Sequence, residues 1–121
     1  MAQRWLDLLL ASDFGLSQVF RNVGDGRFAE IAMPEVLTDE NGMGAAIGDF
    51  DGDGDLDWFV TSIFDGSGST SEFWGDSGNR MYENVGGAVF VDATERAGVR
   101  DGAWGWGACA VDFDNDGDLL M

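Results

Sequence analysis

Short apolar runs and alternating segments follow one another along the chain, and each is only long enough for a strand. Leu6–Ser12 and Leu56–Ser62 are largely apolar, whereas Gln18–Asn22 and Arg80–Asn84 alternate apolar with polar residues. Runs of about four to eight such residues between turn residues are typical of β-strands. Only Ala93–Ala97 has a pattern that could form a turn or two of helix. The hydrophobic pattern therefore predicts an all-β chain.

Three blocks of sequence recur in the same order, which indicates an internal repeat of roughly 50–63 residues. The matched pairs are Phe20–Phe28 with Tyr82–Phe90, Gly48–Leu56 with Val111–Leu119, and Leu6–Ser12 with Leu56–Ser62. The Gly/Ser-rich stretch Asp65–Asn79 is an insertion that accounts for the unequal spacing. The chain therefore holds two repeat units.

Each unit contains four predicted strands, named A to D, with an acidic loop between A and B. Residues 6–32 supply strands B, C and D of a first unit, and residues 43–93 supply a complete unit. Residues 104–121 supply another strand A and a partial acidic loop. The single domain 1–121 thus carries two units' worth of strands, with one unit split between the termini.

Composition narrows the possible functions. The chain has 121 residues and a net charge of −17, and its hydrophobic content of 45% argues against a disordered acidic tail. This charge disfavours binding to nucleic acid or to anionic lipid. Because the chain has no His and one Cys, it can form neither a His-based zinc site nor a catalytic dyad that contains His. No apolar run of about 18 residues is present, so no membrane insertion is expected.

Two acidic loops hold nine of the 23 acidic residues. In the first loop, Asp residues occupy positions 1, 3, 5, 7 and 9 and Gly54 occupies position 6; the acids are Asp49, Asp51, Asp53, Asp55 and Asp57. The second loop repeats positions 1 to 7 with Asp112, Asp114, Asp116 and Asp118. Carboxylates this close repel one another unless a cation offsets their charge. Since calcium binds six to eight oxygen ligands in a flexible shell, the loops predict Ca²⁺ sites.

The sequence argues against two other interpretations of the acidic loops. An EF-hand needs Glu at position 12 and flanking helices, but position 12 from Asp49 is Val60 and the flanks are strand-like. A solvated acidic turn that binds nothing specific is the second, and the recurrence of the pattern disfavours it. Magnesium suits the loops less well, because it requires a strict octahedron and tends to keep its waters.

The acidic loop, the apolar strand after it and the Phe/Tyr-x-Asn-x-Gly hairpin together resemble the FG-GAP/VCBS repeats. These repeats occur in integrin-α-like β-propellers and in bacterial extracellular proteins. The resemblance covers nearly the whole chain and implies β-propeller-type four-stranded blades that bind calcium, in an extracellular, periplasmic or cell-surface setting. It also implies a larger protein, since propellers of this family usually have about seven blades.

The second loop departs from the family pattern at position 9, where Leu120 replaces the expected Asp. Asp7, at the start of strand B of the split unit, corresponds to that position. We hypothesise that strand A of one subunit pairs with strand B of the next, and that Asp7 completes the second calcium site in trans. Three subunits would close a six-bladed ring, while two or four would give four or eight blades. The alternative is that the chain is a fragment of a longer secreted propeller protein.

The remaining candidates concern partners and catalysis. Trp104 and Trp106 could form a sugar-stacking surface, but packing is the favoured interpretation, and Cys109 is expected to be buried. Phe73 and Trp74, in the inserted loop, could contact a protein or glycan partner. A carboxylate-based glycoside hydrolase is disfavoured, because acids that bind a cation are poor proton donors. We therefore expect a structural or interaction module and not an enzyme.

Overall fold

The computed structural model describes residues 5–67 and 77–119, in which seven strands form two antiparallel sheets. The first sheet has the order β1-β2-β3, with β1 at Leu8–Leu10, β2 at Gln18–Gly24 and β3 at Arg27–Ile31. The second has the order β4-β5-β6-β7, with β4 at Gly44–Gly48, β5 at Asp57–Thr61, β6 at Arg80–Asn84 and β7 at Phe90–Asp92. A short helix, α1, spans Thr94–Ala97. The predicted all-β fold is confirmed.

Matching hydrogen bonds show that the two sheets are copies of one unit. In each sheet an Asn side chain closes the hairpin turn, since Asn22 Oδ1 accepts from the Gly24 amide and Asn84 Oδ1 accepts from the Gly86 amide, both at 2.9 Å. The same Asn residues donate through Nδ2 to the carbonyls of Leu6 (3.1 Å) and Leu56 (3.3 Å). The repeated Asn-x-Gly motif therefore fixes the turn and joins strand B to strand C in both units.

The main core lies between the two sheets. Its buried side chains come from β2 of the first sheet, from β5, β6 and β7 of the second, and from the connecting segment: Val19, Leu37, Trp58, Val60, Tyr82 and Phe90. Trp58 stands at the centre, with its ring centroid 5.4 Å from that of Tyr82 and 6.3 Å from that of Phe90. Burial of these large apolar side chains supplies most of the driving force that holds the sheets together.

A buried carboxylate also links the two sheets. Asp39 is fully buried, and its two oxygens accept hydrogen bonds of 2.5 Å from the Ser17 hydroxyl and the Tyr82 hydroxyl. Ser17 lies next to the first sheet and Tyr82 lies on β6 of the second. Burial and, secondarily, the charge of Asp39 raise the pKa of Tyr82, so its hydroxyl remains a donor at neutral pH.

A second, smaller core covers the opposite face of the four-stranded sheet. Phe59, Met81 and Ala93 are buried there, and Phe50, Val99 and Ala108 pack against them. The sheet β4-β7 therefore lies between the first sheet on one face and the C-terminal segment on the other.

The C-terminal segment differs from the sequence-based expectation. Trp104 forms a single bridge with Ile63, and residues 105–110 form no strand. A strand needs a neighbouring strand whose backbone groups complete its ladder of hydrogen bonds. Residues 112–119, which follow this segment, form an acidic loop and supply no such strand.

The expected burial of Cys109 is wrong, because this residue is exposed. Trp104 and Trp106, expected to pack, are 45% and 69% exposed. No neighbouring strand in the described part of the chain covers the outer side of this segment. Phe73 and Trp74 lie outside the described residues.

We predict that Tyr82→Phe lowers the free energy of unfolding by about 1–3 kcal/mol, because one oxygen of the buried Asp39 carboxylate loses its donor. Urea denaturation of Tyr82→Phe, Asp39→Asn and the double variant measures this effect. Since the two residues share one hydrogen bond, the double variant should lose less than the sum of the single losses. Strictly additive losses would show that the hydroxyl and the carboxylate act independently.

Candidate metal sites

The two acidic loops have the same backbone conformation. Position 6 is glycine in both, with φ of 93° at Gly54 and 96° at Gly117. Position 4 is also left-handed, with φ of 76° at Gly52 and 57° at Asn115. Glycine adopts positive φ without strain, and asparagine tolerates it better than most residues. This explains why position 4 is glycine in one loop and asparagine in the other.

The first Asp of each loop organises the turn by accepting backbone hydrogen bonds. The Asp49 carboxylate accepts from the amides of Gly52 (2.9 Å), Asp53 (3.1 Å) and Gly54 (3.0 Å). Asp112 accepts in the same way from Asp116 (3.1 Å) and Gly117 (2.9 Å). These bonds lower the pKa of Asp112, with the Gly117 amide as the largest cause.

Three groups of carboxylates converge in and beside the loops. Within each group, one oxygen from every residue lies within 4.8 Å of the others; the groups are Asp49, Asp51 and Asp57; Asp51, Asp53 and Glu83; and Asp112, Asp114 and Asp116. Acidic clusters also occur without a cation. The donor set, however, consists of hard oxygens, which fits a cation such as Ca²⁺ and does not suit metals that prefer nitrogen or sulfur.

Asp57 anchors the first loop to the sheet. This residue is 2% exposed, and its carboxylate accepts from the Phe50 amide at 3.0 Å and from the Asn84 amide at 2.9 Å. Burial raises the pKa of Asp57, and the negative charges of Asp51 and Asp53 raise it further, although the two amides oppose the shift. The carboxylate is therefore held rigidly in a position where its charge is unfavourable without a cation.

Two predicted site residues contribute backbone groups and not carboxylates to the loops. The amide of Asp55 donates to Asp53 Oδ1 at 2.8 Å, and the amide of Asp118 donates to Asp116 Oδ1 at 2.9 Å. Neither carboxylate belongs to a converging group among the described residues. The assignment of their backbone carbonyls as ligands remains a prediction.

Asp7 corresponds to Asp57 in the first unit. Its Oδ1 accepts from the Asn22 amide at 2.9 Å, just as Asp57 Oδ1 accepts from Asn84. Asp7 is exposed, and within residues 5–67 and 77–119 it joins no carboxylate group. The structure thus places Asp7 in the equivalent position on its own sheet, apart from the second loop.

Glu83 is the site residue that sequence reasoning missed. It lies on β6, outside both acidic loops, and it also forms an ion pair with Arg96. Its proximity follows from the pairing of β5 with β6, which places the residue before Asn84 beside the loop. The first unit has Arg21 at the equivalent position, so the repeat gave no signal for an acid there.

We predict that Asp57 contributes stability to the metal-free protein as the pH falls through the raised pKa of its carboxyl group toward the usual range of an aspartate. Because the pKa of Asp57 is raised by folding, the folded protein takes up a proton before the unfolded chain does, and the stability from this proton is lost as pH rises through the folded pKa. Urea denaturation in chelator measures the slope against pH. Asp57→Asn should flatten it, whereas an equal slope in both proteins would contradict the assignment.

Comparison with known proteins agrees with the repeat seen in the fold. A family model described as FG-GAP-like repeat matches residues 3–60, which span the first sheet, β4, the first acidic loop and most of β5. No curated protein and no solved structure matches the chain. The match covers the acidic loop in the strand context that carries the resemblance. The resemblance of this chain to the FG-GAP-like repeats is thereby confirmed over residues 3–60.

Proposed function

We propose that this chain is a calcium-binding β-propeller repeat module that serves extracellular structure or interaction with a protein or glycan. The observation that carries the proposal is the convergence of carboxylates in two loops of the same conformation, each group with oxygens within 4.8 Å. Both loops keep the same backbone hydrogen bonds to their first Asp, although these two residues, Asp49 and Asp112, are 63 positions apart in the chain. A conformation kept in two copies favours a common ligand.

In the first loop, Asp49, Asp51, Asp53 and Asp57 would hold the cation through carboxylates and Asp55 through its carbonyl. In the second loop, Asp112, Asp114 and Asp116 would act with the carbonyl of Asp118. Bound Ca²⁺ supplies two positive charges that offset the repulsion among these acids. Because Asp49 and Asp57 already bond to loop amides, much of the ordering is complete before the cation arrives.

The role of the cation in this proposal is structural. The first loop connects β4 to β5, and Asp57 joins it to β6 through the Asn84 amide. A cation bound there would fix three neighbouring strands relative to one another. Its binding would stabilise the folded state by mass action, because the ligands converge only in that state.

An extracellular setting is part of the same proposal. FG-GAP repeats usually occur in extracellular proteins, and extracellular calcium modules function with dissociation constants of about 10⁻⁴–10⁻³ M. Within residues 5–67 and 77–119, no helix has the length and apolar character needed to cross a membrane. We favour binding over catalysis, since the clustered carboxylates are the ones assigned to the cation.

Calcium is predicted to raise the melting temperature of the protein. At a free concentration a hundredfold above the dissociation constant, one site stabilises the fold by about 2.7 kcal/mol, which for a chain of this size corresponds to a rise on the order of 10 °C. Differential scanning calorimetry in chelator and in millimolar CaCl₂ measures the shift. A melting temperature that is the same in both would remove the proposed function.

A charge-matched pair of variants assigns the effect to the first loop. Asp51→Asn removes a carboxylate shared by two of the converging groups but keeps the oxygen that accepts from the Asp53 amide. Asp25→Asn removes an equal charge from an exposed turn outside those groups. Isothermal titration should show calcium affinity weakened about tenfold or more by Asp51→Asn and nearly unchanged by Asp25→Asn. Equal effects would indicate that net charge, and not a defined site, attracts the cation.

A further inference from the structure

We propose that β1 presents an open edge that pairs, antiparallel, with residues 107–111 of a second copy of this chain. The inference rests on strand pairing and burial, and it holds whether or not the loops bind calcium.

The second sheet is an internal template for the missing pairing. There β5, the repeat equivalent of β1, pairs on one side with β6 and on the other with β4. β1 pairs with β2 only, and no other strand of residues 5–67 and 77–119 lies on its outer side. An open edge next to a buried core is a site for pairing with another chain.

A groove of about 690 Å³ lies where that strand would sit. It runs between β1 and β4, and Leu9, Ala45, Ile47 and Trp58 are among its lining residues. The indole N–H of Trp58 is buried and has no acceptor in the part of the chain described. The groove continues the core between the two sheets, since Leu9 and Trp58 belong to that core.

Burial along β4 shows that one face of this strand lacks a cover. Ala46 faces the C-terminal segment and is 6% exposed. Ala45 and Ile47 face the first sheet, yet both are exposed, Ile47 at 44%. The difference arises because the C-terminal segment lies over one face of β4, whereas no strand of the first sheet, in the part of the chain that the structure describes, covers the other face.

Residues 107–111 fit the vacant position because they repeat β4. Their sequence, Gly-Ala-Cys-Ala-Val, corresponds to Gly-Ala-Ala-Ile-Gly in Gly44–Gly48, so both segments are small and apolar. They cannot reach β1 of their own chain. Ala108 packs on the Phe59 face of the second sheet, whereas β1–β3 pack on its Trp58 face. The inference therefore assigns the occupant to residues 107–111 of a second copy.

The template also fixes the register. Ala46 pairs with Phe59 and Ile47 with Trp58, so Cys109 should lie opposite Leu9 and Ala110 opposite Leu8. Exposure already alternates as this register requires: Ala108 and Ala110 are partly buried, whereas Cys109 and Val111 are exposed. The exposed pair would enter the groove of the second copy.

The hydrogen bonds of Asp7, compared with those of its equivalent Asp57, support the same alignment. Asp57 accepts the Phe50 amide through Oδ2 and the Asn84 amide through Oδ1. Asp7 accepts the Asn22 amide through Oδ1, and among the described residues Oδ2 has no donor. Phe113 occupies the position of Phe50 in the second loop. Its amide, from the second copy, is the donor that the template predicts for Asp7 Oδ2.

The same arrangement would also bury the apolar outer face of the first sheet. The outer face of the first sheet exposes Leu8, Leu10 and Phe28, at 47%, 43% and 47%. The repeat equivalents of these residues, Trp58, Val60 and Phe90, are buried against the preceding sheet. Pairing would place the outer face of one copy against the Phe59 face of the next. This contact is head-to-tail, so it continues until a ring closes, and three copies give six four-stranded blades.

Solution mass is the first test. Light scattering on the full chain at tens of micromolar, in chelator and in calcium, should give a closed multiple of 13.0 kDa, with three copies favoured. A monomer in both buffers overturns the inference. If calcium still raises the melting temperature of that monomer, the proposed function stands without the pairing; an oligomer whose melting temperature is the same in chelator and in calcium keeps the pairing and removes only the proposed function.

A cross-link tests the register. Facing residues in an antiparallel pair have Cα atoms about 4.5–5.5 Å apart, within the range of a disulfide. Oxidation of Leu9→Cys should join it to Cys109 of the next copy and give dimers and larger species on a non-reducing gel. Leu8→Cys is the matched control, since its side chain points to the opposite face, and Leu9→Cys with Cys109→Ser should give no ladder. Cross-linking as strong in Leu8→Cys as in Leu9→Cys, or an oligomer without any ladder in Leu9→Cys, overturns the pairing.

Discussion

The carboxylate of Asp57 is the contact on which the rest of the repeat depends. It accepts the Phe50 amide from the acidic loop and the Asn84 amide from the neighbouring strand, so one buried side chain fixes the loop, β5 and β6 together. Asn84 in turn closes the next hairpin by accepting the Gly86 amide. The same arrangement at Asp7, Asn22 and Gly24 shows that this chain of hydrogen bonds is a property of the repeat and not of one local sequence.

The same arrangement concentrates negative charge. Burial and the charges of Asp51 and Asp53 both raise the pKa of Asp57, so the contact that organises the loop is also unfavourable at neutral pH in the absence of a cation. The loop lowers this cost in part through its amides, which donate to Asp49 and Asp57. A divalent cation would offset the remainder, which is the physical basis of the proposed calcium dependence.

Stacking of sheets explains the distribution of exposed apolar residues. The second sheet is covered on both faces, by the first sheet through Trp58 and by the C-terminal segment through Phe59. Within residues 5–67 and 77–119 the first sheet is covered on one face, and Leu8, Leu10 and Phe28 are exposed on the other. A blade with an uncovered face and an open edge requires a neighbour, and the chain carries, in residues 107–111, a segment of the right pattern to provide one.

The sequence alone determined the elements with short-range signals. Apolar runs and alternating residues predicted the strands, and the spacing of Asp predicted two acidic loops with glycine at position 6. Each of these signals depends on residues a few positions apart, whose geometry the local backbone controls. Tertiary structure decided what depends on distant neighbours. Glu83 joins the first loop because β5 pairs with β6, and Asp39 links the sheets through Ser17 and Tyr82. Cys109 is exposed because no strand of residues 5–67 and 77–119 pairs beside it. Burial and strand pairing are set by residues far apart in the chain, so the local pattern could indicate a strand at 107–111 but could not supply the partner that such a strand needs.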